Sequence, residues 1–172
     1  MVEIFHTRDQ VPTDADILSF WHMVFDPDQI RWEFEENQGL VKKPDNEVIH
    51  FFRSKVLSRE TNYAFWAREN GQIIGMAGID RFMEPSKIHC AELGFGVRKE
   101  YRRRGIGYQL ICAVLDKARE IGLKRIECSC FADNAAAISL LCKAGFRKEG
   151  VRKGAILKQE RLRDISLFGL LL

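Results

Sequence analysis

An amphipathic helix between two strand patterns limits the folds open to this chain more than any other feature does. Apolar residues recur at helical spacing over Ile106–Ile121, and Gly122 follows as a helix terminator. Lys87–Val97 before the helix has strand character, and Leu123–Phe131 after it alternates apolar and polar residues. The chain is therefore predicted to place at least one helix against a β-sheet.

The remaining segments extend this pattern on both sides. The predicted elements before it are a strand Met1–Thr7, a helix from Thr13 or Asp14 to Phe25, helical turns at Gln29–Gln38, a helix Glu47–Arg59, and the strands Tyr63–Arg68 and Gln72–Phe82 joined at Asn70-Gly71. Those after it are a helix Asn134–Ala144 capped by Asp133, and the closing strands Phe146–Lys153 and Leu162–Leu171. Together they predict a mixed α+β fold with helices on both faces of one sheet.

Composition favours one soluble domain over residues 1–172. The 172 residues are 46% hydrophobic and 30% charged, and no Pro/Gly/Ser-rich linker divides them. No apolar run reaches membrane-spanning length, and the first residues do not form a secretory signal. The five cysteines show no metal-binding spacing, so we expect reduced thiols, a cytoplasmic protein and no metal site.

Charge is distributed unevenly along the chain. Residues 1–60 carry seven Lys+Arg and twelve Asp+Glu, a net −5, and the remainder carries twenty and twelve, a net +8. The two sum to the net charge of +3. This asymmetry indicates two surfaces with different partners, although solvated faces can also differ in charge without any partner.

An arginine- and glycine-rich loop precedes the central helix and is the strongest functional signal. Its sequence is Arg102-Arg103-Arg104-Gly105-Ile106-Gly107. Unpaired N–H groups at a helix start accept phosphate, and arginines add a permanent positive charge. Leu110 occupies the third glycine position of the dinucleotide fingerprint, and no P-loop motif exists. The loop alone predicts an anion site, a glycine turn with exposed arginines, or a contact with nucleic-acid phosphates.

Several motifs in order resemble the GNAT superfamily of acetyltransferases. Arg102-x-x-Gly105-x-Gly107 resembles its pyrophosphate loop, and Ala91–Val97 resembles its bulged strand. Similar segments follow at Asp133–Leu140, Lys143–Phe146, Glu149–Arg152 and Asp164–Leu171, the last two as in ribosomal-protein alanine and spermidine acetyltransferases. The resemblance covers about residues 62–172, which it identifies as the acetyl-CoA-binding core. Residues 1–61 form a variable region on the acceptor side.

The resemblance implies a fold and a set of cofactor contacts. The fold is a central mixed, mostly antiparallel sheet of six to seven strands with a bulged, splayed strand at the cofactor site. Backbone groups of Phe95, Gly96 and Val97 would orient the pantetheine arm and the acetyl group. Arg102 and the backbone of Arg103, Arg104, Gly105, Ile106, Gly107 and Tyr108 would hold the pyrophosphate, and Asn134 would bond the pantetheine arm.

The implied reaction is direct attack of an amine on the acetyl thioester. A carboxylate must accept the proton of an alkylamine, and Glu92 is the candidate base, with His89 a weaker one. The family often places a tyrosine as general acid at the position of Leu141, which has no proton to donate. Tyr108 is expected near the cofactor, and Cys142 as a buried structural thiol.

The acceptor is the least constrained part of the prediction. Phe20, Trp21, Phe25 and Trp32 either line an acceptor cleft or pack in the core. The acidic first third favours a cationic primary amine, such as a polyamine or a protein N-terminus. The alternatives are a GNAT fold that binds acetyl-CoA without catalysis, and a nucleic-acid-binding module. We expect no membrane partner and no nucleic acid, and we leave a homodimer open.

Overall fold

The computed structural model describes residues 1–24, 44–57, 62–158 and 160–172. In these parts the α-helices are α1 Asp14–Val24, α2 Asp45–Phe51, α3 Ile106–Glu120 and α4 Ala135–Lys143. The strands are β1 Glu3–His6, β2 Asn62–Glu69, β3 Gln72–Arg81, β4 Cys90–Val97, β5 Arg125–Phe131, β6 Arg147–Lys158 and β7 Arg161–Leu171. A π-helix Phe52–Leu57 continues α2, and a 3₁₀-helix Lys99–Tyr101 lies between β4 and α3. No helix of the described residues has the length and apolar character needed to cross a membrane.

Seven described strands form one sheet in the order β1-β2-β3-β4-β5-β7-β6. Every neighbouring pair is antiparallel except β4 and β5, which α3 joins by a crossover connection. This confirms the predicted mixed, mostly antiparallel sheet. The chain forms the edge strand β6 first and then returns as β7, which lies between β5 and β6.

Each face of the sheet carries its own hydrophobic core. On one face, Leu110 and Val114 of α3 and Leu141 of α4 are fully buried against strand residues. On the other, α1 and α2 pack against the sheet; the buried residues there include Ile17, Phe20, Trp21, Val48, Phe52 and Trp66. Fully burying one such side chain contributes about 1.5–3 kcal/mol. The predicted placement of helices on both faces is confirmed.

The turn between β2 and β3 was predicted correctly from the Asn70-Gly71 pair. Asn70 and Gly71 connect β2 to β3 with φ values of +50° and +77°. Both values lie in the left-handed region that a two-residue hairpin of this type requires. The Asn-Gly pair therefore fixes this hairpin locally.

A bulge exists, but in β3 rather than at the glycines of β4. Gly75 pairs with Ala67 and Ile73 with Arg68, which leaves Ile74 as the extra residue of β3. The β3–β4 register runs without a shift from the Arg81–Ala91 pair to the Gly75–Val97 pair. The bulge that the resemblance implies within Ala91–Val97 is therefore absent from this ladder.

Other boundaries also differ from the prediction. β4 begins at Cys90 rather than Lys87, because Lys87 accepts the Cys90 N–H at 2.8 Å and closes a turn. Asn134 rather than Asp133 caps α4, since its side chain accepts the Ala137 N–H at 3.0 Å. The predicted turns at Gln29–Gln38 lie outside the described residues.

Candidate active site

The sheet opens between β4 and β5, and this fork is the centre of the candidate site. The two strands pair only at Cys90–Arg125, Ala91–Ile126 and Glu92–Glu127. Beyond Glu92, β4 stays paired with β3 as far as Val97, while β5 stays paired with β7 as far as Phe131. The predicted splay of β4 is therefore confirmed, and the gap widens towards the carboxyl ends of both strands.

Backbone hydrogen bonds show which groups of β4 face the gap. Cys90 accepts the Phe82 N–H, and the Arg98 N–H donates to Ile74. The backbone N–H and C=O groups of successive residues point to opposite sides of a strand, and the even-numbered residues of β4 direct theirs to β3. The backbone groups of Phe95 and Val97 therefore face the gap. Gly96 lies opposite Met76 in this register, so its groups belong to the β3 side. Of the three residues predicted to contact the pantetheine arm, two thus present backbone groups to the gap.

The start of α3 lies beside the same gap, after the 3₁₀-helix that follows β4. Gly105 is the N-cap with φ of +78° and no side-chain capping bond, and Gln109 donates the first helical hydrogen bond back to it. The N–H groups of Ile106, Gly107 and Tyr108 consequently have no acceptor within the helix. They lie at the positive end of the helix dipole, which suits an anionic ligand.

Gly107 allows a close approach between α3, α4 and β4. A Cβ atom built on Gly107 would lie 3.0 Å from Cδ2 of Leu140 and 3.5 Å from Cγ2 of Val97. An added Cβ would therefore require the Leu140 side chain to shift. Gly107 therefore allows close packing of the helices, whereas Gly105 allows the left-handed backbone conformation at the N-cap.

The three consecutive arginines have different environments. Arg104 forms a two-point ion pair with Glu69 at 3.0 and 2.8 Å and lies over the Tyr101 ring. This hydrogen-bonded pair lowers the pKa of Glu69 below its ordinary value. Arg102 donates from Nε to the Val97 carbonyl oxygen at 3.2 Å. Arg103 is exposed with φ of +64°, a conformation uncommon for a residue with a side chain.

Glu92 lies at the vertex of the fork. It is half-buried and is the last residue of β4 that pairs with β5. Its neighbours Ala91 and Leu93 pack in the α3 core, so the Glu92 side chain is on the opposite face of the sheet. In register with it on that face are Asp80 of β3 and Glu127 of β5. The three strands therefore carry a row of carboxylates across the sheet.

Glu127, at one end of this carboxylate row, is held by basic side chains. Its Oε1 lies 3.1 Å from Nε of Arg125, and its Oε2 lies 3.9 Å from Nζ of Lys87. Arg125 also pairs with Glu149, and this pair crosses directly over Gly169, where an added Cβ would require the ends of both side chains to shift. The negative charge of Glu127 is thus partly neutralised within the protein.

The residues of α4 do not all lie where they were predicted. Asn134 is exposed at the start of α4 and caps it, while Asp133 forms an ion pair with Arg163. Leu141 is fully buried in the core. Cys142 is exposed, so the expectation of a buried thiol was wrong. It follows Leu141 on the outer surface of the helix, because successive helical residues point about 100° apart.

Tyr108 and Lys143 connect the first turn of α3 with the last turn of α4. Nζ of Lys143 lies 4.6 Å from the centre of the Tyr108 ring. A hydrogen bond with Cys112 raises the pKa of Tyr108 above its ordinary value. Tyr108 therefore stays a neutral phenol at physiological pH, next to the loop where it was expected.

The remaining candidates lie away from the gap. His89 is exposed in the turn before β4, at the amino end of the strand, whereas the gap opens at the carboxyl end. Phe20 and Trp21 are buried in the α1–α2 core, as the packing interpretation predicted. Phe25 and Trp32 lie outside the described residues. Among described residues, no group of three His, Cys, Asp or Glu side chains is arranged to hold a metal ion.

Two residues near the loop were missed by the sequence analysis. Glu69 ends β2 immediately before the Asn70-Gly71 turn, and Arg98 follows β4. Neither stands in a recognisable motif, and the partner of Glu69 is 35 residues away along the chain. Only the folded sheet brings that pair together.

The chain is similar in sequence and in fold to known acetyltransferases. The family model described as the acetyltransferase (GNAT) family matches residues 21–146. The chain is 33% identical over 100 residues to the N-alpha-acetyltransferase RimI of Mycobacterium tuberculosis, covering 58% of this chain and 61% of that protein. It is 28% identical over 110 residues to the L-amino acid N-acetyltransferase AaaT of Escherichia coli, covering 63% and 68%. The structure of yncA from Salmonella typhimurium, a putative acetyltransferase with its cofactor acetyl-CoA, superposes with a TM-score of 0.76, 17% identity and coverage of 100% and 94%.

Proposed function

The chain belongs to the GNAT acetyltransferase family and is an N-acetyltransferase that uses acetyl-CoA; from this we propose that its acceptor is a cationic primary amine and that Glu92 receives the proton of that amine. The observation that carries the proposal is the position of Glu92 at the vertex where β4 leaves β5. A group bound in the gap beyond this vertex would have the Glu92 carboxylate beside it. This carboxylate lies on the face of the sheet that carries α1 and α2, which we call the acceptor face.

The α3 entrance supports binding of the diphosphate of acetyl-CoA. The N–H groups of Ile106, Gly107 and Tyr108 have no helical acceptors and lie close to the gap. Hydrogen bonds to charged groups contribute about 1.5–3 kcal/mol each, so a few provide useful affinity. In this proposal the backbone groups of Phe95 and the N–H group of Val97, whose carbonyl oxygen accepts from Arg102, align the pantetheine arm. Asn134 contributes its side-chain amide from the start of α4.

Proton removal is the task we assign to Glu92. An amine with a pKa near 10.4 loses its proton at a cost of about 4.6 kcal/mol at pH 7. Glu92 would accept that proton directly or through water, which leaves the nitrogen lone pair free to form the new N–C bond. An N–H group of β4 facing the gap would donate to the acetyl oxygen as its negative charge grows.

The C–S bond then breaks and releases the coenzyme A thiolate. Leu141 is apolar and fully buried, so no proton for the thiolate comes from that position. The thiolate is therefore protonated by another group or by water, or it leaves unassisted. Acid assistance at Leu141 is not part of the proposed mechanism.

A cationic acceptor is supported by the row of carboxylates on the acceptor face. Asp80, Glu92 and Glu127 lie on neighbouring strands in one register. The negative charge of this row, which Arg125 and Lys87 offset in part at Glu127, would favour an approaching ammonium group and disfavour an anionic amino acid. The relatives RimI and AaaT are named for acetylation of an N-alpha group and of L-amino acids, which supports an amino nitrogen as nucleophile.

Calorimetry with acetyl-CoA and an amine panel test this proposal. The panel contains spermidine, a peptide with a free amino terminus, the same peptide with a blocked terminus, and aspartate. We expect acetyl-CoA binding, and transfer to the first two compounds only. Preference for aspartate would contradict the cationic acceptor, and binding without any transfer would indicate a protein that holds acetyl-CoA without catalysis.

A further inference from the structure

Arg98 directly follows β4 and begins the connection to the loop Arg102–Gly107. Its backbone N–H donates to Ile74 at 2.9 Å, and its carbonyl oxygen accepts the Tyr101 N–H, which opens the 3₁₀-helix. The last β3–β4 pair is Gly75–Val97, immediately before it. The direction in which the chain leaves the sheet is therefore set at this residue.

The guanidinium of Arg98 joins two other elements at this point. Its Nε donates to the Ile73 carbonyl oxygen at 2.7 Å. One terminal nitrogen donates to both the carbonyl oxygen and Oγ of Ser19 in α1, at 2.6 and 2.8 Å. Arg98 is half-buried, and these donors are directed at protein oxygens rather than at the gap. Its side chain consequently acts through the loop that it holds and does not contact a phosphate directly.

The bulge of β3 explains why an arginine suits this position. Ile74 is the extra residue of β3, and the carbonyl oxygens of Ile73 and Ile74 both accept hydrogen bonds from Arg98. A planar guanidinium with several fixed donors can satisfy the bulge and α1 together. A lysine ammonium on a flexible stem can reach one of these sites at a time.

We infer that Arg98 is a positioning residue for acetyl-CoA binding, an inference that depends on the proposed function of the gap and the α3 entrance. By fixing the end of β4 against α1 and the β3 bulge, Arg98 keeps the Val97 backbone and the first turn of α3 directed at one gap. Loss of the guanidinium releases the start of the loop without removing any group that contacts acetyl-CoA. The affinity for acetyl-CoA then falls because its binding groups are no longer aligned.

Arg53 provides a matched control, because its guanidinium also bonds to a residue of α1. It anchors α1 through Asp14, with two nitrogen–oxygen distances of 3.0 and 2.7 Å, but it does not contact the loop. The experiment compares Arg98→Met, Arg98→Lys and Arg53→Met by calorimetry with acetyl-CoA, at a temperature where circular dichroism shows each variant to be folded. We expect Arg98→Met to raise the Kd by about tenfold or more, since small misplacements of binding groups are costly.

Arg98→Lys should give an intermediate Kd, and Arg53→Met should stay within about twofold of the wild type, as expected for a substitution outside the site. A wild-type Kd in folded Arg98→Met, or an equal rise in Arg53→Met, would overturn the inference. If Arg98→Met does not fold, Arg98→Lys decides the matter by the same comparison. A wild-type protein that does not bind acetyl-CoA at all would instead refute the proposed function.

Discussion

The guanidinium of Arg104 holds the carboxylate of Glu69 at two points, with nitrogen–oxygen distances of 3.0 and 2.8 Å. This ion pair ties the loop Arg102–Gly107 to the end of β2, and the Glu69 side chain is only 14% exposed. The side chain of Arg104 therefore anchors the loop, whereas the role predicted for Arg104 in holding a pyrophosphate was given to its backbone N–H group.

A double-mutant cycle on this pair should reveal their coupling. Arg104→Met and Glu69→Gln each lower the free energy of unfolding, and the double variant loses less than the sum of the two because both remove one interaction. The cycle is measured by urea unfolding at pH 7. Since Arg104 lowers the pKa of Glu69 in the folded state, this contribution is present above the ordinary pKa of 4.5 and is lost as the pH falls through the folded value. Additive losses at pH 7 would contradict the pairing.

Gly105 and Gly122 form a matched pair for testing the α3 entrance. Both have φ of +78°, and neither has a close neighbour that an added Cβ would strike. Alanine at either position should cost about 1–2 kcal/mol of stability, because a side chain disfavours the left-handed region. Only Gly105→Ala should also weaken acetyl-CoA binding in calorimetry. Equal affinity of both variants for acetyl-CoA would show that Gly105 does not contribute to the binding site.

Gly107 should be coupled to Leu140. Gly107→Ala places a methyl group 3.0 Å from Cδ2 of Leu140, and such overpacking costs about 1–3 kcal/mol. In a Leu140→Ala background the same substitution should cost much less, because the obstructing atoms are gone. Thermal unfolding of the four proteins measures this. The same cost in both backgrounds would show that the contact does not limit this position.

Glu92→Gln should lower kcat by about 10²-fold or more, since general-base catalysis contributes 10²–10⁴-fold. The Kd for acetyl-CoA should not change, and the deficit should shrink at high pH, where the amine deprotonates without help. Glu127→Gln is the control, because Glu127 lies in register with Glu92 on the same face but belongs to β5, where Arg125 and Lys87 hold it. Equal losses of kcat in the two variants would argue against a specific role for Glu92.

His6 should make stability depend on pH. Its side chain is 7% exposed, Nε2 has no hydrogen-bond partner in the described structure, and burial lowers its pKa below the ordinary 6.5. The unfolded chain therefore takes up the proton first, so the free energy of unfolding falls as the pH drops below about 6.5. His6→Phe, which keeps the ring contacts with Tyr63 and Phe65, should flatten the pH dependence of Tm between pH 7 and 5. An unchanged slope would assign that dependence to other groups.

The amino-acid sequence alone determined the features that depend on neighbouring residues. The helical spacing after Ile106, the Asn70-Gly71 turn and the glycine at the α3 entrance were all predicted, and the structure has each of them. These features arise from backbone conformation and from periodicities of 3.6 or 2 residues, which a short segment contains in full. The motif order over residues 62–172 likewise sufficed to indicate the family.

Tertiary structure alone decided which distant groups meet. It placed the bulge at Ile74 of β3, exposed Cys142, assigned Arg104 to Glu69 and joined Arg98 to Ser19, which is 79 residues away along the chain. A charge or a carbonyl oxygen takes whichever partner the packed elements bring within about 3 Å, and sequence spacing does not encode that distance. The glycines and arginines of the loop were therefore visible in the sequence, whereas the partners of Arg102 and Arg104 depended on the folded sheet.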